Sequence, residues 1–274
     1  RGLGDVYKRQ GIQRLMSINL LKRLESSVNS FQLTLTRIKE LINGTIEAIN
    51  RFEKYGSDDI SMYEASRDDW DIDDENTEFF TVGKKVKIEL ADMDWKSWRN
   101  ELQQDADVLE LLTLMAADIT PEHDTKLQEL LRLLDEKITN PINPNNKKVL
   151  IFSAFSDTAE YLYDHVSMYM KDKYGLNTAV ITGAIDGRTT IKGFPATLNN
   201  VLTCFSPVSK DRDVLMPNSR NEIDILIATD CISEGQNLQD CDYLINYDIH
   251  WNPVRIIQRF GRVDRIGSRN QYIQ

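Results

Sequence analysis

The sequence predicts an α/β fold in which a parallel sheet carries helices on both faces, preceded by an all-helical region. After residue 147, short apolar runs alternate with helical patterns, which is typical of a parallel sheet. Before residue 140, apolar side chains recur at steps of three and four, which indicates amphipathic helices. The turn-rich stretch NPINPNN (140–146) separates the two patterns and predicts the domain boundary.

The helical region is predicted to span residues 11–139. Apolar residues between positions 24 and 49 share one face, so we expect a long helix or a hairpin broken near Gly44. Asp94 is expected to cap a second helix, and Thr-Pro at 120–121 to begin a third. We expect these helices to pack on one another, and a helical dimerisation module is the alternative.

Charge is divided unevenly along the chain, whose formal net charge is −10. Residues 57–80 hold ten acids against one arginine and are predicted to form a mobile insert. Residues 251–274 hold five arginines against one aspartate. This local concentration of positive charge is what a phosphate-bearing partner would need. Residues 1–10 join no periodicity and are interpreted as a non-native leader.

The composition excludes several classes of protein. With 274 residues, 41% apolar and 28% charged, the chain has the composition of a globular protein. It contains neither a run of eighteen apolar residues nor a signal-peptide pattern, so we expect a cytoplasmic protein without a membrane partner. The three cysteines form no CxxC pair and the three histidines lack ligand spacing, so no metal site is predicted.

Four apolar runs are predicted to form strands, and ligands of such sheets bind beyond the strands' carboxyl ends. The loops of interest therefore begin at Ser153, Thr182, Thr229 and Asp248. A helix beginning at Asn-Pro (252–253) is followed by three arginines in the segment QRFGRVDRIGS. One interpretation of the arginine cluster is that it binds phosphate, and the alternative interpretation is a solvated basic turn.

Four segments carry a resemblance to a known family: VLIFSAFSDTAEYL, ITG, ILIATDCISEGQNLQDCDYLINYD and WNPVRIIQRFGRVDRIGS. In order and approximate spacing they resemble the second RecA-like lobe of superfamily-two helicases. The resemblance is closest to Swi/Snf-type ATPases, especially the bacterial RNA-polymerase-associated branch and related bacterial helicases. It covers about 147–268 and implies a RecA-like lobe at 147–274, and residues 15–38 also resemble the helical segment that precedes this lobe.

The resemblance implies residue roles in ATP hydrolysis. Gln258, Arg262 and Arg265 match the positions that meet nucleotide bound to the first lobe, so the arginine cluster is interpreted as arginine fingers. Asn237 matches a nucleotide-ribose contact, and Gly235 would allow close approach of the backbone. For Asn237, a plain loop position is the alternative.

The same resemblance implies contacts with a nucleic-acid backbone at strand ends. The matching residues are Ser153, Thr182, Gly183 and Thr229, whose hydroxyl and amide groups suit phosphate oxygens. Ordinary strand-end caps are the alternative. DNA is favoured over RNA as the partner.

Two departures from the family pattern matter. The chain has no GxxxxGK[ST] loop and no acidic Mg²⁺ motif after an apolar strand. ATP and Mg²⁺ are therefore expected to bind mainly to a first RecA-like lobe of the same polypeptide, and this chain alone is expected to be inactive. The chain is interpreted as one lobe of a larger ATP-driven helicase or translocase, with insertions of unknown purpose between 184 and 223. A catalytically inactive lobe that binds a protein partner through its helical region and acidic insert is the alternative.

Overall fold

The computed structural model divides the chain into two compact units, Arg1–Thr120 and Pro121–Gln274. Apart from Ile60–Ser61, the predicted acidic insert at 57–80 lies outside the described residues. No helix in the described part of the chain is both long enough and apolar enough to cross a bilayer. The structure describes residues 3–55, 60–61, 87–88, 90, 93–183, 187–232, 236–249 and 252–274.

The first unit contains three helices and a short antiparallel strand pair. These are α1 (Leu3–Ser26), α2 (Val28–Tyr55), β1 (Ile60–Ser61), β2 (Lys87–Ile88) and α3 (Trp95–Ala117). The helix break falls at Ser27, whose hydroxyl accepts a hydrogen bond from the Ser30 amide at 3.0 Å. Because Gly44 lies inside α2, the long-helix alternative holds for residues 28–55 and the alternative of a break near Gly44 is wrong. The described helix α1 begins at Leu3, within the segment interpreted as a leader.

Helices α2 and α3 pack against each other. The predicted cap of α3 is confirmed, because the Asp94 carboxylate accepts a hydrogen bond from the Ser97 amide at 3.1 Å. Phe52 meets Trp95 edge to face, with ring centroids 6.1 Å apart. A 2.6 Å ion pair between Arg99 and Glu53 adds a polar contact across the pair of helices.

The second unit is a five-stranded sheet with helices on both faces, which confirms the α/β, RecA-like fold class. The strand order is β5-β4-β6-β3-β7, and all neighbours are parallel except β5, which is antiparallel to β4. The elements in chain order are α4 (Thr125–Thr139), β3 (Val149–Phe152), α5 (Ser156–Tyr174), β4 (Thr178–Ile181), β5 (Arg188–Thr189), α6 (Leu198–Phe205), α7 (Arg212–Leu215), β6 (Ile225–Ala228), β7 (Leu244–Asn246) and α8 (Pro253–Phe260).

Strand β3 illustrates how the sheet divides the core into two layers. Side chains alternate along a strand, so Val149 and Ile151 point to one face and Leu150 and Phe152 to the other. The first pair packs with α4 and α5, and the second pair packs with α6. All four residues of β3 are buried, which explains why the central strands are continuous apolar runs.

Helix α4 belongs to the second unit, so the boundary lies between Thr120 and Pro121 and not at 140–146. Leu127, Leu130 and Leu134 are buried in the core layer that also contains α5. The helix begins at Thr125, because the Asp124 carboxylate accepts hydrogen bonds from the amides of residues 126 and 127. Helical spacing identifies a buried face, but it does not say which neighbour covers that face.

The segment between 184 and 223 contributes regular structure that the sequence analysis did not predict. Strand β5 extends the sheet, and α6 covers one of its faces. A Cβ atom at Gly187 would lie 2.2 Å from the carbonyl oxygen of Ala196, so only glycine fits this close approach. The segment is therefore partly built into the fold.

Candidate functional site

The loops predicted to carry chemistry meet at one edge of the sheet. Strands β3, β4, β6 and β7 are parallel, so their carboxyl ends lie side by side. The Ser153 amide donates to the Ala228 carbonyl at 3.0 Å, and the Thr229 amide donates to the Ile181 carbonyl at 3.2 Å. The backbone ladder thus continues one residue past the strands and fixes the starts of these loops.

Asp248 joins the loop after β7 to the loop after β3. Its Oδ2 accepts hydrogen bonds from the Ser153 hydroxyl at 2.7 Å and from the Ala154 amide at 3.0 Å. Its Oδ1 pairs with Lys126 Nζ at 3.1 Å, and that ammonium lies 4.0 Å from the centroid of the Tyr247 ring. Asp248 is buried, and this hydrogen bonding compensates for the burial of its charge.

The four residues predicted to touch a nucleic-acid backbone differ in accessibility. Ser153 and Thr229 are 0% exposed, Thr182 is 6% exposed, and Gly183 is exposed. The Ser153 hydroxyl already contacts Asp248, which fits a role in fixing the loop. Among the four, Gly183 is therefore the one residue that is exposed.

Arg259 holds the start of the arginine segment against the sheet, a role that was not predicted from the sequence. Its guanidinium makes two hydrogen bonds to the Asp230 carboxylate, at 2.8 and 2.7 Å, and one to Asn246 Oδ1 at 3.0 Å. It also lies 5.0 Å from the centroid of the Phe152 ring, and its side chain is fully buried. The one available signal was its place in the basic motif, which does not distinguish a structural arginine from a ligand-binding one.

The two predicted arginine fingers, Arg262 and Arg265, follow α8 directly. Arg262 is 4% exposed, and its guanidinium lies 5.7 Å from the centroid of the Phe152 ring. Arg265 is half-buried, its Nε donates to the Gly261 carbonyl at 3.1 Å, and it lines a cavity of about 370 Å³. Gln258 is half-buried on α8.

The predicted ribose contact lies in the loop that runs from β6 to β7. Asn237 Oδ1 accepts a hydrogen bond from the Gln239 amide at 3.2 Å, which forms a tight turn. The next residue, Leu238, donates its amide to the Arg262 carbonyl at 2.9 Å, so this loop and the arginine segment are in direct contact. Gly235, the other predicted nucleotide contact, lies outside the described residues.

This fold and this site define a C-terminal RecA-like lobe of the superfamily-two helicase class. The chain belongs to the family described as helicase conserved C-terminal domain, whose model matches residues 125–267, more than half of the chain. The match begins at the first residue of α4, in agreement with the place of that helix in the second unit.

Several curated proteins are similar to parts of the chain. The uncharacterized ATP-dependent helicase YqhH of Bacillus subtilis is 54% identical over 49 residues, which are 18% of this chain and 9% of that protein. The RNA polymerase-associated protein RapA of Stutzerimonas stutzeri is 29% identical over 120 residues, 42% of this chain and 12% of that protein. The mitochondrial ATP-dependent RNA helicase MRH4 of Kluyveromyces lactis is 24% identical over 183 residues, 58% of this chain and 30% of that protein. The chain thus spans less than a third of the length of these relatives.

A solved structure, the C-terminal part of the Fun30 ATPase domain, is also similar to this chain. It is 22% identical, and the similarity covers 55% of this chain and 39% of that chain with a TM-score of 0.36.

Proposed function

We propose that the chain is the C-terminal motor lobe of an ATP-dependent nucleic-acid helicase or translocase. In this role it supplies arginine fingers and part of the track for the nucleic-acid backbone. The observation that carries the proposal is the placement of Arg262 and Arg265 directly after α8, on a segment that Arg259 anchors to the sheet. Phosphoryl transfer spreads negative charge over three oxygens, and a planar guanidinium can meet two of them at once.

The surface of α8 supports a partner that covers it. Val254, Ile257 and Phe260 are 51%, 69% and 41% exposed, while Arg259 on the same helix is buried. An apolar face that is exposed around an arginine segment suits contact with another domain. We assign this face to the first RecA-like lobe of the same polypeptide, because the chain itself contains no GxxxxGK[ST] loop.

ATP and Mg²⁺ would be held mainly by that first lobe. The half-buried guanidinium of Arg265, which borders a cavity, fits an anionic ligand and not a metal ion. When bound, Mg²⁺ neutralises negative charge that develops on the phosphates. Asn237, Gln258, Arg262 and Arg265 are the residues of this chain that would face the nucleotide.

The proposal also names a type of nucleic acid, a surface for a protein partner and a cellular location. MRH4 is named an RNA helicase and fml2 of Schizosaccharomyces pombe a putative DNA helicase, and we favour DNA because the motifs resemble the Swi/Snf type. The helical unit could bind a protein partner through α3, where Leu111, Leu114 and Met115 are 59%, 57% and 60% exposed. We place the protein in the cytoplasm.

The arginine roles are tested by ATPase assays on the polypeptide that carries both lobes. Changing Arg262 or Arg265 to alanine should lower turnover about a thousandfold, the scale typical of a lost arginine finger. Lysine should rescue poorly, because it keeps the charge but loses the planar fork. Arg269→Ala is the matched control, since Arg269 is exposed in the same segment and is expected to leave turnover unchanged.

Nucleic-acid concentration and salt separate this role from binding of the nucleic-acid backbone. If the arginine instead contacts the nucleic-acid backbone, its alanine variant should need more nucleic acid for half-maximal ATPase activity, and the salt dependence of that concentration should fall by about one counterion. Maximal turnover at saturating nucleic acid would then recover. Recovery of maximal turnover in an alanine variant would reject the finger assignment for that residue.

A further inference from the structure

Arg265 lies at the start of a tight turn. The Ser268 amide donates to the Arg265 carbonyl at 3.2 Å, and Gly267 between them has a φ of +91°, which favours glycine. Arg265 Nε donates to the Gly261 carbonyl at 3.1 Å, so its side chain is also bonded to the backbone of this segment. The place of the Arg265 guanidinium therefore depends on the contacts that fix the turn.

Asn270 connects this turn to the run that precedes β7. Its Nδ2 donates hydrogen bonds to the carbonyls of Gln239 at 2.9 Å and Cys241 at 3.2 Å. Its backbone amide donates to the Ser268 hydroxyl at 3.1 Å, and that hydroxyl donates to the Gln239 carbonyl at 3.2 Å. Asn270 thus contacts the Arg265 turn through Ser268 and the run before β7 through its side chain.

A second asparagine fixes the orientation of the Asn270 side chain. Asn270 Oδ1 accepts a hydrogen bond from Asn146 Nδ2 at 2.9 Å, and the same Nδ2 donates to the Asp240 carbonyl at 2.9 Å. Asn146 Oδ1 accepts from the Lys148 amide at 2.9 Å. Because carbonyl oxygens only accept and amide N–H groups only donate, these partners determine which way each carboxamide points. The Asn270 side chain is therefore held in one orientation.

The run before β7 also contains the predicted ribose contact. Asn237 Oδ1 accepts from the Gln239 amide at 3.2 Å, and the Gln239 carbonyl accepts from Asn270. Gln239 thus connects Asn237 to the Arg265 turn. Asn270 and Arg265 also line the same cavity of about 370 Å³. The distance between Asn237 and Arg265 therefore depends on the hydrogen bonds of the Asn270 side chain.

We propose that Asn270 is a positioning residue for ATP hydrolysis, which holds Arg265 where it meets the transferred phosphoryl group. The inference rests on the proposed function, which assigns an arginine finger to Arg265. Stabilisation of a transition state depends on geometry, and a misplacement of about 1 Å can lower the rate about a hundredfold. Asn270 acts in this role through Arg265 and without contact to the nucleotide.

Asn270→Asp tests this role, because it replaces the Nδ2 donor with an oxygen and hardly changes the shape of the side chain. A carboxylate oxygen would face the carbonyls of Gln239 and Cys241, so the turn that contains Arg265 should shift. In the polypeptide that carries both lobes, maximal ATP turnover at saturating nucleic acid should fall about a hundredfold. The KM for ATP and the nucleic-acid concentration for half-maximal activity should stay within about twofold.

Asn199→Asp is the matched control, because Asn199 is exposed on α6 and the change adds the same charge. It should leave turnover unchanged. Thermal unfolding of each variant separates a loss of activity from a loss of folded protein, and turnover is compared well below the melting temperatures. If Asn270→Asp does not fold, Asn270→Ala takes its place, since it removes the same donor without adding a charge.

A double variant shows whether Asn270 acts through Arg265. Combined with Arg265→Ala, the Asn270→Asp change should lower turnover by at most about threefold more, because no arginine finger remains to be positioned. A further loss of about a hundredfold in the double variant would overturn the proposal, because the two changes would then act independently. Turnover of Asn270→Asp within about twofold of the unchanged polypeptide, or a loss that appears only in the KM for ATP, would also overturn it.

Failure of the proposed function gives a different pattern. If Arg265→Ala turned over ATP at the rate of the unchanged polypeptide, the finger assignment itself would be wrong. If Arg265→Ala lost turnover and Asn270→Asp did not, only the role of Asn270 would be rejected.

Discussion

Arg259 and Arg262 lie three residues apart and have different surroundings. Arg259 is fully buried, and its charge is balanced by Asp230 through two hydrogen bonds. Arg262, also buried, lies against Phe152, and its backbone carbonyl accepts a hydrogen bond from the Leu238 amide. We therefore assign Arg259 to folding of the site, whereas ligand contact by Arg262 and Arg265 belongs to the proposed function.

Arg259→Ala should lower the free energy of unfolding by about 3–5 kcal/mol, because it leaves the Asp230 carboxylate without its cation at a mostly buried site. Urea unfolding of the 274-residue chain measures the change. Arg269→Ala, at an exposed position, should stay within about 0.5 kcal/mol of the unchanged chain. A similarly small effect for Arg259→Ala would show that the buried ion pair does not hold the segment.

Some contacts of individual site residues could not be predicted from the sequence. The motif selects Arg262, Arg265 and Asn237 as candidates from local spacing alone, and their roles stay predictions. The partner of Arg259 is 29 residues away in the chain, so their contact depends on the tertiary fold. The hydrogen bond from the Ser153 hydroxyl likewise needs Asp248, which is 95 residues away.

At the scale of elements, α4 is attached to the sheet by a buried ion pair as well as by leucines. Lys137 Nζ lies 2.6 Å from Asp242 Oδ1, and both side chains are 0% exposed. Asn143 Nδ2 donates to the other Asp242 oxygen at 2.7 Å. This network fixes the C-terminal end of α4 and the turn after it to the start of β7.

Lys137→Met should destabilise the second unit by about 3–5 kcal/mol, since Asp242 would keep a buried charge without its cation. The double change Lys137→Met with Asp242→Leu should recover much of that loss, because it removes both buried charges. Urea unfolding of the two variants and the unchanged chain completes the comparison. Equal losses in the single and double variants would show that packing, not charge, attaches α4.

The helices and strands that were predicted correctly are those that a single local sequence pattern identifies. Strands β3, β4, β6 and β7 are apolar runs too short for helices, and Asn252 with Pro253 marks the start of α8. Strand β5 has two residues, one exposed and one half-buried, so it carries no such pattern. Of the two alternatives, the break near Gly44 does not occur, because glycine is tolerated inside a helix. The break lies at Ser27, whose hydroxyl can cap a new helix.

At the scale of the whole molecule, the proposed function needs a nucleotide site to which the second unit contributes only a part. The arginine segment and the apolar face of α8 are both present, but the sequence has no phosphate-cradling GxxxxGK[ST] loop. In a two-lobed motor the fingers act on a nucleotide that the other lobe holds. The second unit would therefore contribute to catalysis only in combination with such a lobe.

The 274-residue chain, purified alone, should show no nucleic-acid-stimulated ATPase activity. Without a P-loop the phosphates and Mg²⁺ have no cradle, so the arginines have no positioned γ-phosphate on which to act. Phosphate release with and without duplex DNA is the measurement, and the chain with both Arg262 and Arg265 changed to alanine is the control. Turnover above that control would show that the chain holds a catalytic nucleotide site of its own, and the single-lobe assignment would fall.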